Sequence, residues 1–257
     1  MPSFFKPKKS SQQLAEWNKH DEKLLQAVQK GEVDKINSIL SSKKSVSPTK
    51  QDPHGHTCLH RTAIEGNKEV MEAFLNHNVD PNAADLEGRT PLHCAVGDGH
   101  LGVAALLIQH DSNLFAVDRH KLSTVHYSVM GGSVDCVRLL LDNGAPVYLQ
   151  DEDGRPALFL AAQMNHVPIT KQLIEGGANI NTRDSKQKTA HIHASEYGND
   201  EVVQFLISRG ADVTFADRKD DIKPVKQEPK PKNSIVEEAT PPPSVGGSDH
   251  TDNELDK

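Results

Sequence analysis

The sequence predicts an all-α solenoid, in which paired helices joined by tight hairpin turns stack side by side. Three observations predict it: a period of 33 residues, small residues at fixed places in each period, and two short apolar stretches per period. Aspartate marks the period at Asp52, Asp85, Asp118, Asp151, Asp184 and Asp217. One such unit is too small to bury its apolar face alone, so neighbouring units must stack.

Each unit begins with a turn and a helix cap. Three residues after the aspartate stand Gly55, Gly88 and Gly154, as a turn position with positive φ requires. Two residues later, a hydroxyl able to cap the first helix is supplied by Thr57, Thr90, Ser123 and Thr189. Leu/Ile pairs such as Leu107-Ile108 and Leu173-Ile174 then form the apolar stripe of the second helix.

The repeating pattern, read most clearly in GRTPLHCAVGDGHLGVAALLIQH at residues 88–110, resembles the ankyrin repeat. The resemblance implies an N-terminal capping repeat at 14–51, built around KLLQAVQKGEVDKINSIL at residues 23–40. It also implies repeats one to five, at 52–84, 85–117, 118–150, 151–183 and, as the C-terminal cap, 184–217. Residues 1–13 and the proline-rich, aromatic-free stretch 218–257 are expected to be disordered.

Residues 16–40, EWNKHDEKLLQAVQKGEVDKINSIL, resemble more narrowly the ankycorbin and uveal autoantigen group. In that group an ankyrin array precedes a long coiled coil and associates with actin-linked structures. No heptad pattern follows the repeats here. The resemblance therefore implies a cytoskeletal linker as one candidate function.

Composition excludes several other classes. With 29 Lys+Arg against 36 Asp+Glu the chain has a net charge of −7, which argues against binding to a nucleic-acid backbone. No apolar run is long enough to span a membrane, and no secretory signal is evident. Three scattered cysteines indicate reduced thiols. We expect a monomer in the cytoplasm, with the nucleus or the cytoskeleton as a further location.

No catalytic motif is present, so we predict that the chain is not an enzyme and has no cofactor. His60, His93 and His126 share one column, and we expect each to bond turn backbone in its own repeat. Equivalent residues of stacked helices lie about 10 Å apart, whereas a zinc–nitrogen bond is about 2.1 Å, so the column does not form a metal site. The short pairs His54/His56 and His191/His193 lack a third ligand.

Stacked repeats of this kind expose a concave track, formed by the turn tips and the open side of each first helix. Met130, Met164 and Tyr197 are apolar at track positions where polar residues are expected. Tyr127 and Leu160 adjoin them, either as part of the patch or as filling of the seam between helices. Nearby turn tips carry Arg119 and, with opposite charge, Glu152 and Asp153.

Two other features stand apart from the track. Phe115 and Tyr148 replace the usual asparagine before the next turn, and we expect them to pack against the adjacent hairpin. Lys226 lies in Val-Lys-Gln-Glu, a match to the attachment motif of the modifier SUMO.

The function predicted is a non-catalytic adaptor or scaffold that binds a protein partner through the concave track. Two alternatives remain, an actin-associated linker and an inhibitor-type transcriptional or signalling regulator. The acidic balance and the modification motif favour the regulator.

Overall fold

The computed structural model describes residues 19–42, 46–52 and 55–213. Its described part holds twelve helices and no strand, so the all-α prediction is confirmed. The predicted terminal segments 1–13 and 218–257 lie outside the described residues, as do His54, Asp217 and Lys226. No helix in the described ranges has the length and apolar character needed to cross a membrane.

The helices come in six pairs of similar length. The first helices of the pairs are α1 Lys19–Gln29, α3 Cys58–Glu65, α5 Pro91–Gly97, α7 Thr124–Met130, α9 Ala157–Gln163 and α11 Ala190–Glu196. The second helices are α2 Val33–Ser41, α4 Lys68–Asn76, α6 Leu101–Gln109, α8 Val134–Asp142, α10 Val167–Glu175 and α12 Asp200–Ser208. Successive first helices pack on one another, and so do successive second helices, which gives two helical layers.

The core lies between and within these layers. The first helices bury small side chains such as Ala95 and Ala161, which let neighbouring helices approach closely. The last four second helices each bury a leucine at equivalent positions, Leu107, Leu140, Leu173 and Leu206, and α4 buries Phe74 there. Each repeat thus completes its core only with its neighbours, as expected for a stacked array.

The recurring aspartate organises each turn. In repeat two, Oδ1 of the buried Asp85 accepts hydrogen bonds from the backbone N–H groups of Glu87 and Arg89, both at 2.9 Å. The same pattern recurs in repeats three to five. The turn requires positive φ three residues after the aspartate, a position held by Gly55, Gly88, Lys121, Gly154 and Gln187. Lysine and glutamine therefore adopt a strained conformation that glycine adopts freely.

Histidine completes the helix caps of repeats one to three. The backbone N–H of Ser123 donates to His126 Nδ1 at 3.2 Å, so in this tautomer the proton is on Nε2. That nitrogen donates to the backbone carbonyl of Arg155 in the next repeat at 3.0 Å. His60 does the same with Arg89, at 2.8 Å. The prediction that each of these rings bonds backbone of its own repeat is confirmed, and His60 and His126 in addition bridge to the next repeat.

Candidate protein-binding face

Five pairs of side chains mark the open side of the first helices, which we call the first-helix face. They lie at the C-terminal ends of these helices and repeat every 33 residues: Ile64-Glu65, Gly97-Asp98, Met130-Gly131, Gln163-Met164 and Glu196-Tyr197. Each pair has at least one exposed residue. The scaffold tolerates glycine, acids, amide and apolar groups there, so it does not dictate these residues.

Three of the predicted patch residues lie exposed on this face. The exposed fractions are 42% for Met130, 43% for Met164 and 58% for Tyr197. Tyr197 is joined to the preceding repeat, because Gln163 Nε2 donates to its hydroxyl at 2.8 Å. Repeats four and five thus hold one aromatic ring in place at the surface. Flexible methionines and an oriented tyrosine are typical of surfaces that bind other proteins.

The other two predicted patch residues serve the scaffold. Tyr127 is half-buried, and its hydroxyl donates to Asp118 Oδ2 at 2.9 Å. Its ring meets the edge of His93 at a centroid distance of 5.1 Å. Burial, together with this bond to a carboxylate, raises the pKa of Tyr127. Leu160, at the equivalent position of the next repeat, is half-buried and packs on the core. For both, the position favours the seam-filling alternative.

The hydroxyl of Tyr127 belongs to a pattern that the sequence reading missed. In each repeat a side chain of that repeat contacts Oδ2 of the turn aspartate, from either of two positions. In repeats two and four the contacting side chain is an arginine four residues after the aspartate, Arg89 and Arg155 respectively. In repeats one, three and five the contacting side chain stands nine residues after the aspartate and belongs to Arg61, Tyr127 and His193 respectively. The alternation was visible in the sequence once both positions were compared.

The contact between His193 and Asp184 affects the pKa of the aspartate. His193 Nε2 lies 2.8 Å from Asp184 Oδ2. Burial alone raises the pKa of Asp184, but bonds from His193 and from the backbone N–H groups of Lys188 and Lys186 outweigh it and lower the pKa. His193 is thereby committed to its turn, which accounts for one member of the His191/His193 pair without a metal. Within the described ranges, no three potential metal ligands come together.

The predicted turn-tip charges lie on adjoining turns. Backbone bonds link the tips: Arg119 N donates to Glu87 O at 2.9 Å, and Glu152 N to His120 O at 3.2 Å. The Glu152 carboxylate lies 3.3 Å from His120 Nδ1, and Asp153 pairs with Arg155 at 2.9 Å. All three predicted tip residues are exposed. The two acids already have partners in the chain, whereas the exposed Arg119 presents its charge outward.

Phe115 and Tyr148 do not pack as predicted, since they are 60% and 69% exposed. Asparagine at this position links repeats, as Asn82 Oδ1 accepts from the backbone N–H of Asn113 at 2.7 Å. Phenylalanine has no such acceptor, and the residue that would donate to it, Pro146, has no N–H. The aromatic substitution therefore leaves no donor unsatisfied at that junction.

Taken together, the fold and this face define a helical-repeat protein with an open side-chain surface. The chain belongs to the ankyrin-repeat family, because the family model described as "Ankyrin repeats (3 copies)" matches residues 24–118 and 125–217. Ankyrin repeats generally mediate protein–protein interaction, and they are typically non-enzymatic.

Named relatives agree over the ankyrin region. The mouse (Mus musculus) protein "Uveal autoantigen with coiled-coil domains and ankyrin repeats" is 44% identical over 70 residues, which is 27% of this chain and 5% of the relative. Its Bos taurus counterpart is 40% identical over 79 residues, 31% of this chain and 6% of the relative. The human (Homo sapiens) "Ankyrin repeat domain-containing protein 35" is 43% identical over 68 residues, 26% of this chain and 7% of that protein. The resemblance inferred from the sequence is confirmed, although the match spans only a small part of each relative.

Proposed function

We propose that this chain is a non-catalytic adaptor that binds a protein partner through its first-helix face, the concave track predicted from the sequence. One observation carries the proposal: Met130, Met164 and Tyr197 are large, apolar and exposed on one face. At the same positions the other repeats also have glycine, glutamine and acids besides Ile64, so packing does not require apolar side chains there. Exposed anchors of this kind are the residues from which binding energy is drawn at protein interfaces.

The test uses two methionine substitutions and one matched control. Met130→Glu with Met164→Glu places two charges on the first-helix face, where desolvating them costs binding energy. Leu101→Glu is the control, because Leu101 is 41% exposed but lies at the start of α6 in the other helical layer. Affinity capture with quantitative mass spectrometry should recover the wild-type partner with Leu101→Glu and lose it with the double variant. Equal recovery by both variants would remove the proposal.

The setting of this binding has two candidates. The family resemblance favours the actin-linked cytoskeleton, and the net charge of −7 favours an inhibitor that masks a basic partner in cytoplasm or nucleus. Co-sedimentation of residues 1–217 with filamentous actin separates them. Pelleting with actin supports the linker, and absence from the pellet removes it.

A further inference from the structure

A groove of about 410 Å³ crosses the first-helix face in repeats one to three. Ile64, Gly97 and Met130 hold the same position in three successive first helices, and all three line it. Ile64 and Met130 are exposed, whereas Gly97 between them has no side chain. The middle repeat therefore leaves an opening between two apolar side chains.

The depth of the groove follows from close packing of α5 on α7. A Cβ on Gly131 would come within 2.3 Å of the Gly97 carbonyl oxygen, and a Cβ on Gly97 would lie 3.3 Å from Tyr127 Cδ1. Gly131 therefore leaves no room for a side chain in this packing, whereas a side chain at Gly97 would require the Tyr127 ring to shift by a few tenths of an ångström. The exposed apolar groups on either side have no such structural reason.

Charge around the groove is unequal at its two ends. At the turn end, Arg89 Nε is bound to Asp85 Oδ2 at 2.8 Å, so its charge is already compensated. At the other end stands the exposed carboxylate of Asp98, which lines the groove; Glu65, its exposed equivalent in repeat one, directly follows Ile64. Neither forms an ion pair with any described residue. Both also lie at helix C-termini, where a negative charge is unfavourable.

We infer that this groove receives one apolar side chain of a partner protein, and that a lysine or arginine beside it in the partner pairs with Asp98 and Glu65. The inference rests on the proposed function and specifies its partner chemistry. The apolar walls of Ile64 and Met130 fit the inserted side chain. The two uncompensated carboxylates favour a basic neighbour and disfavour an acidic one.

A library of random dodecapeptides displayed on phage, panned against the full chain, tests this directly. The recovered peptides should combine Leu, Ile, Met or Phe with a nearby Lys or Arg. A synthetic copy of the most enriched peptide, labelled for fluorescence anisotropy, should bind Asp98→Lys at least about tenfold more weakly than wild type, and Ile64→Ser about fivefold more weakly. Its affinity should also fall with rising salt.

Glu72→Lys is the matched control, since Glu72 is an exposed acid in the middle of α4, on the second-helix layer. It changes net charge as Asp98→Lys does and should leave affinity within about twofold of wild type. Recovery of acidic peptides, recovery of none, or unchanged binding by Asp98→Lys and Ile64→Ser would overturn the inference. Binding lost only with Met164→Glu would reject the groove but keep the proposed face. Binding lost only with Leu101→Glu would reject both.

Discussion

Repeats three and four are neighbours with the same backbone, yet they satisfy the same turn with different side chains. Repeat three caps its first helix with Ser123 and His126, and repeat four has Pro156 and Phe159 in those places. Pro156 has no N–H, so no ring nitrogen is needed to accept from it. Phe159 instead packs its ring against His193 of the next repeat, at a centroid distance of 5.3 Å.

The difference shows that two positions of a repeat can change together and still satisfy the same turn. Asp118 is contacted by Tyr127 nine residues on, and Asp151 by Arg155 four residues on. Where an arginine stands four residues after the aspartate, the position nine residues after it can hold an apolar residue, as Leu160 does in repeat four. A side chain such as Tyr127 can therefore look like a binding residue in the sequence while it completes a turn.

Acid should separate the two kinds of repeat most strongly. Burial lowers the pKa of His60, His93 and His126, for His93 to about 4, whereas Phe159 and Ile192 hold that column in repeats four and five. A histidine whose pKa is lower in the folded protein than in the unfolded chain stabilises the fold fully above about pH 6.5. This stabilisation is lost as pH falls towards the folded pKa. His93 alone should cost on the order of 3 kcal/mol by pH 4. Hydrogen exchange at pH 7 and pH 5 should show protection falling further in residues 55–150 than in repeat four, residues 151–183, and equal loss in the two would contradict this.

Conversion of the repeat-three cap to the repeat-four type should have the next largest effect. His126→Phe leaves the Ser123 N–H and the Arg155 carbonyl without their partner, at a cost of about 2 kcal/mol at pH 7. Adding Ser123→Pro removes the orphaned donor and should recover part of that loss. Urea unfolding of the single and double variants measures both changes. A double variant less stable than the single one would show that the two caps are not interchangeable.

The side-chain contact to the turn aspartate of repeat three can likewise be transferred to the position that repeat four uses. Tyr127→Phe deletes the hydroxyl bound to Asp118 and should lower the free energy of unfolding by about 1.5 kcal/mol. Leu122→Arg, added to it, supplies the arginine that repeat four has at that place, and should restore most of the stability. A double-mutant cycle by urea unfolding measures the coupling. Independent, additive effects would refute the exchange of positions.

The smallest effect concerns the turn residue with positive φ, Lys121 in repeat three and Gly154 in repeat four. Lys121 has a φ of 59°, so Lys121→Gly should stabilise the fold by about 0.5 kcal/mol after the entropy of glycine is counted. Gly154→Lys should destabilise it by about 1 kcal/mol, since a Cβ there would also lie 3.2 Å from Ser185 N. Thermal unfolding compares the two, and a loss of stability in Lys121→Gly would contradict the strain.

The sequence was sufficient for the fold because the 33-residue period combines turn, cap and apolar positions that support one another. The sequence was insufficient at positions where a side chain can have either of two roles. Tyr127 could be assigned to the turn only once its hydroxyl was seen on Asp118. Phe115 and Tyr148 were misjudged because their position faces outward, where asparagine reaches a backbone donor and an aromatic ring finds no core. The groove had a sequence signal, Gly97 between Ile64 and Met130, that only the stacking of repeats makes meaningful.

We propose that Met130 and Met164 serve binding and not folding. The most direct measurement is the amount of partner captured by the Met130→Glu, Met164→Glu variant relative to Leu101→Glu, with both variants checked for an unchanged thermal midpoint. We predict a ratio below about one tenth, as for the loss of two central anchors. A ratio near one at equal stability would contradict the account.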